Sequence, residues 1–289
     1  MSILIKGSEI ASQIKPEIKK NIDALIEKGI KPALAAVRVG NKPDAVNYER
    51  STTKFLSNLN IDCRPFYFEE DIDKDTFLKK LREIDKMPDI HGILLFRPIP
   101  EHLECRELEY AISAVKDIDG MNPLNFGLIC ANDESGHAPC TAEAVMKILK
   151  FHNIEISGKN AVVIGRSMVI GKPAAMLLLN ESATVTVCHS KTANLKEICT
   201  HADILVAAIG RANFVSGDFV KPGAVVIDVG ININEEGKLT GDVNFEEVSQ
   251  IAGYITPVPG GVGSVTNAVL AEHIVKAAKY LSQEKSIGI

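Results

Sequence analysis

The sequence predicts an α/β fold of two lobes with a cleft between them, and three observations predict it. Residues 157–192 read as strand, glycine turn, helix, strand. Upstream of them, three short apolar runs alternate with amphipathic helices, the order that builds a parallel sheet. Downstream, three more strand-sized apolar runs lie within 203–255, ahead of a proline-glycine segment and a closing helix.

A chain of 289 residues suffices for two domains of ordinary size or one large one. Hydrophobic content of 46% against 24% charged is that of a globular protein in water. The net charge of −5, with no Lys/Arg run, argues against nucleic acid as a partner. The longest apolar stretches are strand-sized, so no membrane span is expected. The start lacks a basic region followed by an apolar core and a cleavage site, so no signal peptide is expected. Six cysteines without a C-x-x-C pair fit reduced thiols in the cytoplasm. No two of the seven histidines stand at metal-ligand spacing, and no metal site is expected.

Residues 8–28 place Ile10, Ile14, Ile18, Ile22, Leu25 and Ile26 at helical spacing, an amphipathic helix. Residues 33–39 are apolar without alternation, the pattern of a strand buried on both faces. The turn Gly40-Asn41-Lys42-Pro43 leads to a helix over 44–58. Residues 63–68 predict a second strand, and Phe77, Leu78, Leu81 and Ile84 a further amphipathic helix. A third strand over 91–96 runs into Arg97-Pro98-Ile99-Pro100, too proline-rich to continue as strand or helix. Turn formers dominate 115–141, which reads as a connecting region. A helix over 142–150 follows, then the unit at 157–192 and strands at 203–209, 224–229 and 253–255. A last helix runs from Thr266 to near Leu281.

Within 157–192 the first strand ends on Gly165-Arg166-Ser167, Gly171-Lys172-Pro173 opens the helix, and the second strand ends on His189-Ser190-Lys191. Glycines let the backbone approach a pyrophosphate, whose charge is favoured by N–H groups at the helix start. Pro173 suits the first helical turn, where its missing N–H costs nothing. The spacing departs from G-x-G-x-x-G, so a plain α/β crossover competes with this Rossmann-like reading. NAD calls for an acid at the end of the second strand, to take the ribose 2′-OH. There is none here, and Arg166, Ser190 and Lys191 suit the 2′-phosphate of NADP, although solvated surface cations would look the same. In the first lobe Tyr48 reads, on composition, as an amphipathic core tyrosine. Asp117 and Asp119 read equally as turn carboxylates or functional acids. The segment 257–263 is either a close approach to a ligand or a tight turn.

Together these segments resemble the methylenetetrahydrofolate dehydrogenase / methenyltetrahydrofolate cyclohydrolase family along nearly the whole chain. The matching pieces are Val39-Gly40 with Pro43 and Tyr48, Lys116-Asp117-Ile118-Asp119-Gly120, Pro139-Cys140-Thr141, and Gly165-Arg166-Ser167 with Gly171 and Pro173. They continue with Cys188-His189-Ser190, Asp228-Val229-Gly230-Ile231-Asn232, Gly241-Asp242-Val243 and Thr256-Pro257-Val258-Pro259-Gly260-Gly261-Val262-Gly263, the last being the most specific. The resemblance implies an N-terminal α/β folate lobe, a C-terminal Rossmann-like NADP lobe, a folate substrate and a homodimer. On this basis residues 1–140, joined by the helix 267–289, form the folate-binding catalytic domain, and 141–266 the NADP domain. Tyr48 matches the tyrosine that stacks on the aminobenzoyl ring, and Asp119 the aspartate that hydrogen-bonds the pterin. Gly165, Arg166, Ser167, Ser190 and Ile231 match cofactor positions. Pro259 and Gly260 fall in the segment lining the folate–nicotinamide junction.

Two positions depart from the family pattern. Thr52 stands where the catalytic lysine is expected, four residues after Tyr48, and Phe96 replaces the glutamine that holds that lysine. Lys54, two residues on and about 200° around a helix, should point away. Arg97 stays protonated and is no base. A cyclohydrolase needs a group to activate water, which typically gives ~10²–10⁴-fold. Hydride transfer depends mostly on holding donor and acceptor in place. Monofunctional dehydrogenases resembling this family carry the same replacements, threonine for lysine and an aromatic for glutamine. The expectation is therefore a dehydrogenase with weak or absent cyclohydrolase activity. Its rivals are a fully bifunctional enzyme, a non-catalytic folate or NADP sensor, and a dehydrogenase for another small substrate.

Overall fold

The computed structural model describes residues 2–234 and 237–287. The predicted α/β class holds, and the chain divides into two compact units. The C-terminal unit gathers described residues of 2–13, 129–132 and 141–266, and the N-terminal unit those of 14–128, 133–140 and 267–287.

The chain opens with β1 (Ile3–Leu4) and α1 (Gly7–Glu27), whose Ile10, Ile18, Ile22 and Leu25 are buried as their spacing requires. The N-terminal unit then builds β2 (Ala33–Val39), α2 (Pro43–Ser57), β3 (Asp62–Phe68), α3 (Lys74–Asp85) and β4 (Gly92–Leu95). The three strands form a parallel sheet in the order β3-β2-β4. The central strand β2 is buried along almost its whole length, which is why it shows no polar alternation. Pro43 sits in the first turn of α2, and Asp73 caps α3 by accepting the Thr76 amide at 2.9 Å. One core under this sheet packs Phe77, Leu78, Leu81 and Ile84 of α3 against Ala35, Val37 and Ile93. Beyond β4 lie the short α4 (Arg106–Glu109) and α5 (Pro123–Cys130).

The region 115–141 was expected to be connection alone, and α5 corrects that. Turn formers there include the helix's own start signal, since Pro123 opens α5 and the Asn122 side chain accepts the Leu124 amide at 2.9 Å.

The C-terminal unit holds α6 (Cys140–Phe151), β5 (Asn160–Ile164), α7 (Gly171–Asn180), β6 (Thr184–Cys188), α8 (Leu195–Cys199), β7 (Ile204–Ala207) and β8 (Val225–Asp228). A hairpin of β9 (Asn232–Ile233) and β10 (Leu239–Thr240) follows, then α9 (Phe245–Val248) and β11 (Tyr254–Ile255). The last helix, α10 (Val262–Ile287), starts four residues before the expected Thr266, and positions 288–289 of the expected helix lie outside the described residues. The main sheet is parallel throughout, in the order β1-β11-β8-β7-β5-β6. The chain leaves β5 toward β6 on one side and returns as β7 on the other, so the topological switch point lies at the carboxyl ends of β5 and β7. Strand β1 joins the far edge through Ile3 and Leu4, bringing the start of the chain into this sheet. Two residues are too few to show any periodicity in sequence.

Candidate active and cofactor sites

In the N-terminal unit, α2 carries Tyr48 and Thr52 one turn apart on a face turned inward. Thr52 is fully buried and donates its hydroxyl to the Asn267 side-chain oxygen at 3.1 Å. Lys54 lies on the exposed side of the same helix, as its angle predicts. Phe96, just past β4, is fully buried and meets the Tyr48 ring edge-to-face, with centroids 5.3 Å apart. Burial pushes the Tyr48 phenol far above its usual range, with the Asp119 charge adding to the effect and a hydrogen bond with Thr52 opposing it. At neutral pH that phenol is a neutral group. Helix α2 is clamped from its other side: Glu49 accepts from Arg38 Nε at 2.6 Å and from the Tyr67 hydroxyl at 2.8 Å.

The structure separates the two acids that the sequence left level. Asp117 is buried and takes the Asn122 amide at 2.6 Å and the Asn125 side-chain nitrogen at 3.1 Å, closing the turn ahead of α5. Its desolvation outweighs those bonds and pushes its carboxyl up to about 6. Asp119 is only half-buried and accepts the Cys140 amide at 3.2 Å. Burial raises its carboxyl as well, while the Cys140 bonds and the positive fields of His273 and Arg97 pull it back. Asp119 opens on a pocket walled also by Ile93, Leu95, Arg97 and Asn122. Behind it, the Ile118 carbonyl is gripped by His273 Nδ1 at 2.7 Å and by the Cys140 thiol at 3.2 Å. Arg97 is exposed and pairs with Glu104.

Sequence reasoning missed Asn267 and His273. Both lie on α10, far along the chain from Thr52 and Ile118, and no local pattern marks them.

In the C-terminal unit, Gly165 ends β5 at the switch point with φ +130°, a conformation open to glycine. A Cβ there would fall 2.2 Å from the Ala208 carbonyl oxygen, and one on Gly171 would fall 2.2 Å from the Gly165 oxygen. The two glycines therefore keep a shallow backbone cradle at the start of α7. Ser167 accepts the Ile170 amide at 3.2 Å and leaves its own side exposed beside Arg166. Ser190 and Lys191 are exposed at the carboxyl end of β6, in a turn closed by the Lys191 amide on His189 Nδ1 at 3.1 Å. Ile231 is 70% exposed beyond β8. Pro259 and Gly260, the latter at φ +102°, are exposed beyond β11. A glycine cradle, two cations and a hydroxyl at these strand ends fit a dinucleotide bearing an extra phosphate.

Comparison with known proteins follows this division. Residues 5–119 match the model of the tetrahydrofolate dehydrogenase/cyclohydrolase catalytic domain, and 139–282 that of the tetrahydrofolate dehydrogenase/cyclohydrolase NAD(P)-binding domain. A relative from Carboxydothermus hydrogenoformans, the bifunctional protein FolD, is 50% identical over 284 residues, covering 98% of this chain and 99% of its own. The crystal structure of the bifunctional enzyme FolD from Campylobacter jejuni superposes with a TM-score of 0.94 at 42% identity, covering 97% of this chain and 99% of its own. The methylenetetrahydrofolate dehydrogenase-cyclohydrolase of Trypanosoma brucei, solved with NADP and an inhibitor, gives 0.91 at 32% identity, covering 100% of this chain and 99% of its own. With matched domains along most of its length and a relative half identical to it, the chain belongs to the tetrahydrofolate dehydrogenase/cyclohydrolase family.

Proposed function

We propose that the chain is an NADP-dependent methylenetetrahydrofolate dehydrogenase of one-carbon metabolism whose cyclohydrolase activity is weak or absent. The observation that carries this reading is the state of Thr52. Its hydroxyl is fully buried and donated to Asn267, so it neither takes a proton from water nor holds one in place. Phe96 brings an apolar ring to the position where a polar partner would be required, and Lys54 faces solvent. The work left to the N-terminal unit is positioning. Tyr48 offers the aminobenzoyl group a ring steadied by Phe96, and Asp119 offers the pterin's N–H edge an acceptor in a pocket. Gly165, Arg166, Ser167, Ser190 and Ile231 would hold NADP, which supplies the hydride acceptor when bound. Pro259 and Gly260 would border the reacting end.

In this reading residues 1–140 with the last helix form the folate-binding domain, and 141–266 the NADP domain. The enzyme works as a homodimer in the cytoplasm.

A second reading is favoured by the relatives' names: those from Carboxydothermus and Campylobacter are called bifunctional, which supports a full dehydrogenase/cyclohydrolase yielding formyltetrahydrofolate. One preparation assayed for both activities decides. NADPH formation from methylenetetrahydrofolate, with methenyltetrahydrofolate decaying at the buffer rate, is the expected result. Protein-accelerated decay selects the bifunctional reading, and NADP binding without NADPH formation a sensor.

A further inference from the structure

Gly241-Asp242-Val243 is one of the family-like segments, and its surroundings give it a role. The Asp242 side chain is fully buried. Its carboxylate accepts three successive amides, Ile209 at 2.6 Å, Gly210 at 3.0 Å and Arg211 at 2.8 Å, and the Asn232 side-chain nitrogen at 2.9 Å. The first three donors form the loop leaving the carboxyl end of β7. Asn232 opens β9 and so ends the loop leaving β8, next to Ile231. One acceptor-only group with two oxygens therefore ties the two loops together, which a neutral side chain of the same size has too few acceptor sites to do.

The anchor is itself anchored. The Asp242 amide donates to Asp228 Oδ1 at 2.9 Å, and the Val243 and Gly230 amides complete that carboxylate at 3.0 and 2.9 Å. Any Cβ at Gly230 would fall 2.3 Å from the Asp242 carboxyl carbon, and one at Gly241 1.8 Å from Asp228 Oδ2. Glycine at both places lets the two acids nest against backbone.

The loops tied by Asp242 follow β7 and β8, on one side of the switch point. In a sheet ordered β8-β7-β5-β6, a cofactor crossing the switch point puts its adenosine half toward β6, where Ser190 lies, and its nicotinamide half toward β7 and β8. We propose that Asp242 is a positioning residue for the nicotinamide half of the cofactor, setting the β7 and β8 loops against which the reacting ring rests. The proposal rests on reading this unit as the NADP domain.

Calorimetric titration of the full-length protein tests it with two probes, NADPH and adenosine 2′,5′-bisphosphate, which lacks the nicotinamide half. If the unchanged protein binds neither, the NADP reading itself fails. If it binds both, Asp242→Asn is expected to weaken NADPH about tenfold and leave the bisphosphate within about twofold, because unpaired loop amides reach only one half of the ligand. Equal weakening of both probes, or of neither, overturns the proposal. Should Asp242→Asn not fold, Asn232→Ala removes the link to the β8 loop alone. It should weaken NADPH about threefold with the bisphosphate unchanged, and no selective loss overturns the proposal equally.

Discussion

In the C-terminal unit Asp228 and Asp242 are buried and filled with backbone amides, so each carboxylate is spent on holding the chain in shape. In the N-terminal unit the work is divided. Asp117 closes a turn in the same way, whereas Asp119, two residues on, takes the Cys140 amide and keeps part of its carboxyl open to a pocket. Both arrangements carry a desolvation cost, and the difference lies in what offsets it. A filled acid returns its cost as loop geometry, while a half-open one keeps acceptor capacity facing a pocket. Filled acids should therefore report in stability and through the loops they hold, and half-open ones directly in turnover.

The largest expected effect is on the stability side. Burial lifts the Asp228 carboxyl from 3.8 to about 6 against the pull of its three amides. The folded state thus binds this proton more tightly than the unfolded chain. Its contribution to stability is full below 3.8 and is lost as the pH rises to about 6, the reverse of a salt-bridged acid. That displacement is worth about 3 kcal/mol. Urea unfolding of the wild type and Asp228→Asn across this range should show the wild type gaining about that much on the variant as the pH falls. A difference that stays flat with pH sinks the claim.

Asp119→Ala should do the opposite. If Asp119 pairs with the pterin's N–H groups as proposed, removing its carboxylate is expected to lower kcat/KM for methylenetetrahydrofolate about 10²-fold. The melting temperature should hardly move. A loss of stability matching the loss of turnover would place Asp119 with the filled acids.

A smaller effect is expected from the residues around Tyr48. Thr52→Lys with Phe96→Gln is expected to raise hydrolysis of methenyltetrahydrofolate about tenfold, short of what an evolved acid/base group gives, because Asn267 stays in place. Each single change alone should raise it far less. Additive single effects, followed by stopped-flow absorbance, would show that the two positions are not coupled.

How much of this was legible in the sequence follows the range of each interaction. Strand β2 coincides with its predicted run, because a strand buried on both faces is written in consecutive apolar residues. The Gly165 turn was legible from glycines spaced along one strand–helix junction, although the Ala208 oxygen that limits Gly165 lies beyond β7. The hairpin β9–β10 and strand β1 were missed, their two-residue strands being too short to show a period. Thr52 stood out only through the family resemblance, and Asn267 not at all, since it reaches Thr52 across 215 positions. Asp242 was visible as part of a motif, but its three amides lie 31 to 33 residues upstream and only folding lines them up.

The smallest effect separates the half-open acid from its own surroundings. Arg97 is exposed and paired with Glu104, and its positive field is among the influences that hold the Asp119 carboxyl down against burial. Arg97→Gln removes that field while keeping a polar side chain of similar length in the pocket wall. The Asp119 carboxyl then rises further, so the acid limb of the kcat/KM profile should move toward alkaline pH if the ionised form binds the pterin. Because the guanidinium is solvated and already paired, the loss on the acid limb should be only about twofold at low salt. It should fade as the Debye length shrinks to about 3 Å near 1 M salt. Filled acids give no such response: the Asp228 stability profile should be the same with and without Arg97. A shift that survives high salt would mean that Arg97 touches the substrate directly, and no shift at all would mean that Asp119 acts in its protonated form.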